Sequence, residues 1–212
     1  VKIYAISDQH GHLGPDIPEC DLLIVAGDVA PSWHGPRNPG AERQRQDLWM
    51  VNWFAWIKRQ PMKAWYACWG NHDYASPIKG FCDGPIEHNL LKLWFSPWSN
   101  EFCRWNWMKQ PEELGEYYKQ IPYGTDIIVS HQPPYGYGDL LAPFMRRGGE
   151  DPHVGSKELL ETIKRIQPKA VVCGHIHDGH GIYKLNDDTT IYNVAVVDES
   201  YWLVHSATEI VL

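Results

Sequence analysis

Ala170-Val171-Val172-Cys173-Gly174-His175-Ile176-His177 is the stretch from which the fold can be read. Four apolar residues predict a short buried strand, and a glycine closes it. Two imidazoles follow at a spacing of two. Side chains alternate along extended backbone, so His175 and His177 face the same way, as two ligands of a metal site must. Taken alone, the pair could equally be a turn with two satisfied histidines. The same pattern recurs along the chain. Lys2–Ser7 runs into Asp8-Gln9-His10-Gly11-His12, and Leu22–Ala26 into Gly27-Asp28. Ala64–Cys68 passes through Trp69 into Gly70-Asn71-His72-Asp73, and Asp126–Ser130 runs into His131. Gly-Asp or Asp-x-His by itself is ordinary turn chemistry. Five strand ends in order, each delivering His, Asp or Asn, are not what turn preference selects. In α/β sheets, ligands collect beyond the carboxyl ends of the strands.

Around these strands the pattern is that of a layered α/β protein. Helices are predicted over Ala41–Arg59, Glu112–Lys119 and Ser156–Ile166, the last with Ser156 as N-cap and Pro168 beyond its end. In the first of these, Leu48, Val51, Phe54, Ala55 and Ile57 are expected to pack on a sheet. Trp49, Trp53 and Trp56 make it apolar almost all round, so a self-association face is the alternative. Further strands are expected at Gly181–Leu185, Thr190–Val196 and Thr208–Leu212. Residues 76–122, rich in Trp, Pro and Gly, show no period and are expected as an irregular excursion from a single domain of residues 1–212, covering the site.

The chain has 212 residues, 43% hydrophobic and 21% charged, with a net charge of -7. An acidic chain without a basic track is not built to hold long polyanions, so no stable nucleic-acid binding is expected and a small anionic substrate is. Cys20, Cys68 and Cys173 sit beside apolar runs and read as core thiols. The cysteine count of five is odd, with no CxxC pair, against a secreted disulfide framework. The spacing leaves a Cys82–Cys103 bridge open. With no apolar run long enough for a membrane span or a leader, a cytoplasmic location is expected. The sequence does not set an oligomeric state.

Together, Asp-x-His, Gly-Asp, Gly-Asn-His-Asp, a lone His after a strand and Gly-His-x-His resemble the signature of calcineurin-like metallophosphoesterases. The segments Ser130-His131-Gln132-Pro133-Pro134-Tyr135-Gly136 and Gly174–Gly181 are most similar to the metallophosphoesterase-domain (MPPED-like) branch. The resemblance implies a layered α/β/β/α sandwich of two mixed β-sheets flanked by helices, and two divalent transition-metal ions (Mn first, or Fe, Zn, Co or Ni). It implies that Asp8, His10 and His177 hold one ion, that Asn71, His131 and His175 hold the other, and that Asp28 bridges them. It further implies that Asn71 and His72 bind the substrate, His72 contacting its phosphate and protonating the leaving group, with Asp73 orienting His72. Elementary chemistry asks for the same types. Two close cations activate water and clamp an in-line displacement at phosphorus, and mixed imidazole, carboxylate and amide donors suit first-row metals. His12 and His180, two or three positions from ligands, are expected either to face the substrate or, the favoured reading, to be solvated or to stand behind the ligands. Tyr135 and Tyr137 are expected either to flank the substrate or to pack.

Phosphoprotein phosphatases of the superfamily carry an arginine soon after Gly-Asp. Here Gly27-Asp28 continues as Val29-Ala30-Pro31-Ser32-Trp33. A dianionic monoester profits from a guanidinium fork, so hydrolysis of small phosphodiesters, cyclic nucleotides among them, is the leading expectation. A phosphomonoesterase and a non-catalytic scaffold are the alternatives.

Overall fold

Alternate residues along the strands join different apolar clusters, because both faces of each sheet are covered. In β2 (Cys20–Ala26), Leu22, Ile24 and Ala26 join one apolar cluster while Leu23 and Val25 join another. In β9 (Ala170–Cys173), Ala170 and Val172 share that first cluster, and Val171 and Cys173 face a third. The shared cluster therefore lies between two sheets, and each outer cluster lies between a sheet and helices. The computed structural model describes residues 1–32, 38–146, 148 and 151–212. Trp33, named above after Gly-Asp, lies outside the described residues.

One sheet has β1 (Ile3–Ile6), β2 and β3 (Met62–Cys68) in parallel, with β12 (Thr208–Ile210) antiparallel on β1. Against its outer face lies α1 (Pro39–Ile57), N-capped by the Asn38 side chain. The other sheet contains β4 (Gly84–His88), β5 (Leu91–Ser96), β8 (Ile127–Ser130), β9, β10 (Gly181–Lys184) and β11 (Thr190–Asn193). Their order is β10-β11-β9-β8-β5-β4. Its four central strands are parallel and its two edge strands antiparallel. Its outer face is covered by α2 (Pro111–Tyr118) and by α3 (Lys157–Ile166). Ser156 caps α3 by accepting from Leu159 N–H at 3.1 Å, and Lys164 and Arg165 sit in its last turn, where the helix dipole favours cations. The result is the expected α/β/β/α sandwich. A minor pair, β6 (Ser99–Asn100) and β7 (Met108–Lys109), stands beyond β5.

Two expectations need correction. Residues 76–122 are not merely irregular. They supply β4 and β5, and β5 sits inside the second sheet with Leu93 and Phe95 in the shared core. Trp94 masks the period-two pattern, because it is buried on the opposite face under α2. The packed face of α1 also differs. Gln46, Met50, Trp53, Trp56 and Ile57 are buried, whereas Leu48 and Val51 are 75% and 66% exposed. The sheet selects the bulky Trp53, whose indole N–H reaches Gln9 Oε1 at 2.8 Å. Cys20, Cys68 and Cys173 are buried, and Cys82 is a free thiol beside the Gly80 carbonyl. No helix among the described residues is long and apolar enough to cross a membrane.

Candidate metal centre

The carboxyl ends of β1, β2 and β3 meet those of β8 and β9 where the two sheets adjoin. Ser7 closes this seam, giving its N–H to Val194 O and accepting from Val196 N–H, each at 2.9 Å. Just beyond it stand two groups of side chains, Asp8, His10 and His177, and Asp28, His131 and His175. In the first, His10 Nε2 and His177 Nε2 are 3.2 Å apart, and they lie 3.8 and 3.5 Å from Asp8 Oδ1. Donors that share one ion at bonds of ~2.0–2.2 Å stand roughly 3–3.5 Å from one another. In the second group, His131 Nε2 is 2.8 Å from Asn71 Oδ1 and 3.3 Å from Asp28 Oδ2. The same Asp28 oxygen is 3.7 Å from His10 Nε2, so it stands between the groups. Asp8 Oδ1 is buried with no hydrogen-bond partner. A buried carboxylate oxygen without a donor is costly unless a cation meets it, so the residues fit a pair of metal ions.

Tautomers are set from behind. His131 Nδ1–H donates to Ala26 O at 2.9 Å and His177 Nδ1–H to Asp198 O at 3.0 Å, which turns each Nε2 toward the centre. Asp8 Oδ2 accepts from His175 N–H at 2.9 Å, and Asp28 Oδ1 from His72 N–H at 2.8 Å. The backbone is bent to make these approaches. Asp8, His10, Asp28 and His175 all have left-handed φ values, of 57°, 43°, 50° and 69°. Each costs ~1–2 kcal/mol for a non-glycine residue, and such strain gathers where surrounding contacts over-determine a functional geometry. The glycines in the motifs have a steric reason. A β-carbon at Gly70 would overlap Asp28 Oδ1, and one at Gly174 would overlap Asp8 Oδ2 and Ser7 Oγ.

Charge follows the same arrangement. Burial disfavours charge on His131 and His177, but Asp28 and Asp8 outweigh it and raise each imidazole to about 9. Burial lowers His175 to about 3, reinforced by the charge of His131, and lowers His72 to about 4. Asp8 and Asp28 are held below the ordinary carboxylate range against burial, Asp8 by His10 and His177, Asp28 mainly by His131 and His72. Without ions, the centre is a buried cluster of carboxylates whose charge is met by protons on histidine.

Asp73 is placed otherwise than expected. Its carboxylate accepts from Gly70 N–H at 2.8 Å, Ala30 N–H at 2.9 Å and Val29 N–H at 3.3 Å. It ties the Asp28 loop to the Asn71 loop and does not touch the His72 ring, because its short side chain points back under its own turn. Burial and the charge of Asp28 raise it to about 7. The contact to the ring comes from Ser32, whose Oγ is 2.6 Å from His72 Nδ1. Gln46 of α1 was also missed. It is buried, donates to His72 O at 2.8 Å and accepts from Tyr74 N–H. Neither residue belongs to a motif, and position four after Asp28 was the one available signal for Ser32.

Residues 1–179 match the family described as calcineurin-like phosphoesterase. The chain belongs to that family. Metallophosphoesterase domain-containing protein 1 of Homo sapiens is 37% identical over 122 residues, which is 56% of this chain and 35% of that protein. The chain thus spans little more than a third of this relative. A UPF0046 protein of Caenorhabditis elegans is 28% identical over 93% of this chain and 76% of its own length. Among solved structures, phosphopantetheinyl hydrolase (PptH) from Mycobacterium tuberculosis superposes with a TM-score of 0.57, covering 99% of this chain and 95% of that one. Its 15% identity makes this a likeness of fold alone. The motifs that this calcineurin-like phosphoesterase carries are those gathered at the seam.

The centre opens into a cavity of about 430 Å³ lined by Asp28, Asn71, His72, His175 and His177, and by Phe102, Trp105, Tyr201 and Glu199 among others. Tyr135 and Tyr137 are not in this lining. Tyr135 donates to Asp151, and Tyr137 packs on the apolar cluster outside the second sheet. His12 holds the Tyr201 carbonyl at 2.9 Å, and the Tyr201 ring meets those of His10 and His177 edge-on. His180 gives its N–H to His177 O at 3.1 Å, and its ring bonds Ala195 O and stacks on His205 at 3.7 Å.

Proposed function

We propose that this calcineurin-like phosphoesterase hydrolyses small phosphodiesters at a centre of two divalent transition-metal ions, manganese being the first expectation. The observation that carries the reading is the pair of ligand groups joined across Asp28 Oδ2, opening on a cavity of small-molecule size. When bound, the two ions supply Lewis-acid charge at the phosphate and make water acidic enough to attack near neutral pH. Asp8, His10 and His177 would hold one ion, and Asn71, His131 and His175 the other.

The chain's own part is positioning. His72 lines the cavity beside Asp28, with Nδ1 engaged by Ser32. Its Nε2 is left to hydrogen-bond a phosphate oxygen and to deliver a proton to the departing alkoxide. Burial keeps the ring neutral until an anion arrives, and the charge of that anion raises its affinity for a proton. Among the described residues lining the cavity there is no Lys or Arg, which supports a singly charged diester over a doubly charged monoester.

Turnover of bis-p-nitrophenyl phosphate and of p-nitrophenyl phosphate by the manganese-loaded protein tests this. Faster diester hydrolysis is expected. Preference for the monoester would make the protein a phosphatase, and no turnover of either at full metal content would make it a scaffold.

A further inference from the structure

The cavity walls outside the metal centre carry a chemistry of their own. Three aromatic rings of the lining each pack against a different histidine of the centre. Trp105 lies 3.9 Å from the His72 ring, Phe102 5.7 Å from His175, and Tyr201 4.7 Å from His10, measured between centroids. Leu141, Met145 and Val154 add apolar wall to the same cavity. Among the described residues of the lining, the one carboxylate that belongs to neither ligand group is that of Glu199, two residues before Tyr201 on the same loop. No lysine or arginine faces the cavity among the described residues.

A phosphodiester brings one negative charge, and the metal centre answers it. The rest of the molecule, its organic arm, is read by these walls. Aromatic faces carry negative quadrupole potential and attract cations within about 6 Å. A carboxylate among them adds to that attraction and repels a second anion. Apolar walls strengthen both effects by excluding water.

Resting on the phosphodiesterase reading above, we infer that the cavity selects diesters whose organic arm is a compact cation, of the quaternary-ammonium kind, and rejects arms bearing a further phosphate or carboxylate. Phe102, Trp105 and Tyr201 supply the aromatic faces and Glu199 the counter-charge. Such an arm lies in the cavity while the phosphate rests at the ligand groups.

The test compares p-nitrophenyl esters that differ in arm charge at constant shape. The p-nitrophenyl phosphodiester of choline is set against that of 3,3-dimethylbutanol, in which carbon replaces the quaternary nitrogen, and against one bearing a terminal carboxylate. The choline ester is expected to show kcat/KM roughly 3- to 30-fold above its neutral isostere, and the carboxylate ester the lowest value. Glu199→Gln and Trp105→Leu should each lower the choline-to-isostere ratio, a quantity that loss of folded protein does not move. Calorimetric titration of the metal-loaded protein with phosphocholine and with 3,3-dimethylbutyl phosphate should show the same order in affinity. Equal or reversed values for the charged and neutral esters, while both are hydrolysed, would overturn the inference and leave the phosphodiesterase reading intact. Hydrolysis of neither these esters nor bis-p-nitrophenyl phosphate would instead overturn that reading.

Discussion

Ser32 Oγ stands 2.6 Å from His72 Nδ1. The hydroxyl holds the ring at one nitrogen and leaves Nε2 as its other polar atom, on a residue that lines the cavity. A neutral hydroxyl does this where the sequence suggested that the carboxylate of Asp73 would.

Ser32→Ala should therefore lower kcat about tenfold, the worth of one hydrogen bond, with little change in KM. The loss should grow as the leaving group becomes more basic, because a misaligned proton donor matters most there. Ser32→Thr should restore most of the rate. His72→Ala should cost ~100- to 10,000-fold with the metals retained. A series of aryl phosphodiesters, with metal content measured in each variant, separates these effects. Metal loss in either Ala variant would assign the pair to ion binding instead.

Asp28 Oδ2 lies 3.3 Å from His131 and 3.7 Å from His10. Asp28→Asn keeps the shape and removes the charge shared by both ligand groups. It should weaken retention at both positions together, by about 10- to 100-fold or more, as read by metal analysis after dialysis. Loss of one ion with the other held at its original affinity would show that Asp28 serves a single position.

Metal binding should expel protons. His131 and His177 carry imidazoles raised to about 9 in the ion-free centre, and both must be neutral to bind an ion. At pH 7.5, about two protons should leave per filled centre, measured by titration calorimetry in buffers of different ionisation enthalpy. The same shifts give the sign of a stability effect. A histidine raised from 6.5 to about 9 contributes in full below pH 6.5, and the contribution is lost as pH rises through 9. The melting temperature of the ion-free protein should fall over that window, and bound metal should remove the fall.

Gly174→Ala would drive a β-carbon into Asp8 Oδ2 and Ser7 Oγ. The chain there is a packed seam, so the strain should cost ~1–3 kcal/mol of stability and displace Asp8. Lower metal content together with a lower melting temperature is expected. A variant with normal metal content would show that the seam has room to give.

The five strand-end motifs were legible because each pairs a buried apolar run with a polar ligand at its end. A period of two and the chemistry of Asp, Asn and His are local properties. The helix capped by Ser156 was legible for the same reason. The strand Leu91–Ser96 was not, because Trp94 is apolar and faces outward under α2, which breaks the alternation that half-exposed strands show. The packed side of α1 was not, because a helix apolar all round does not say which face a sheet will choose.

From its order of residues this chain determined which side chains could bind metal, and that each would stand at the end of a buried strand. Their grouping was settled by the tertiary structure, which brings the ends of two separate sheets within one coordination distance, bends Asp8, His10, Asp28 and His175 into left-handed backbone and sets Ser32 rather than Asp73 against His72. The physical reason is that ligand chemistry is carried by single residues, whereas distances between residues remote in sequence exist only after the apolar faces of the two sheets have packed on one another.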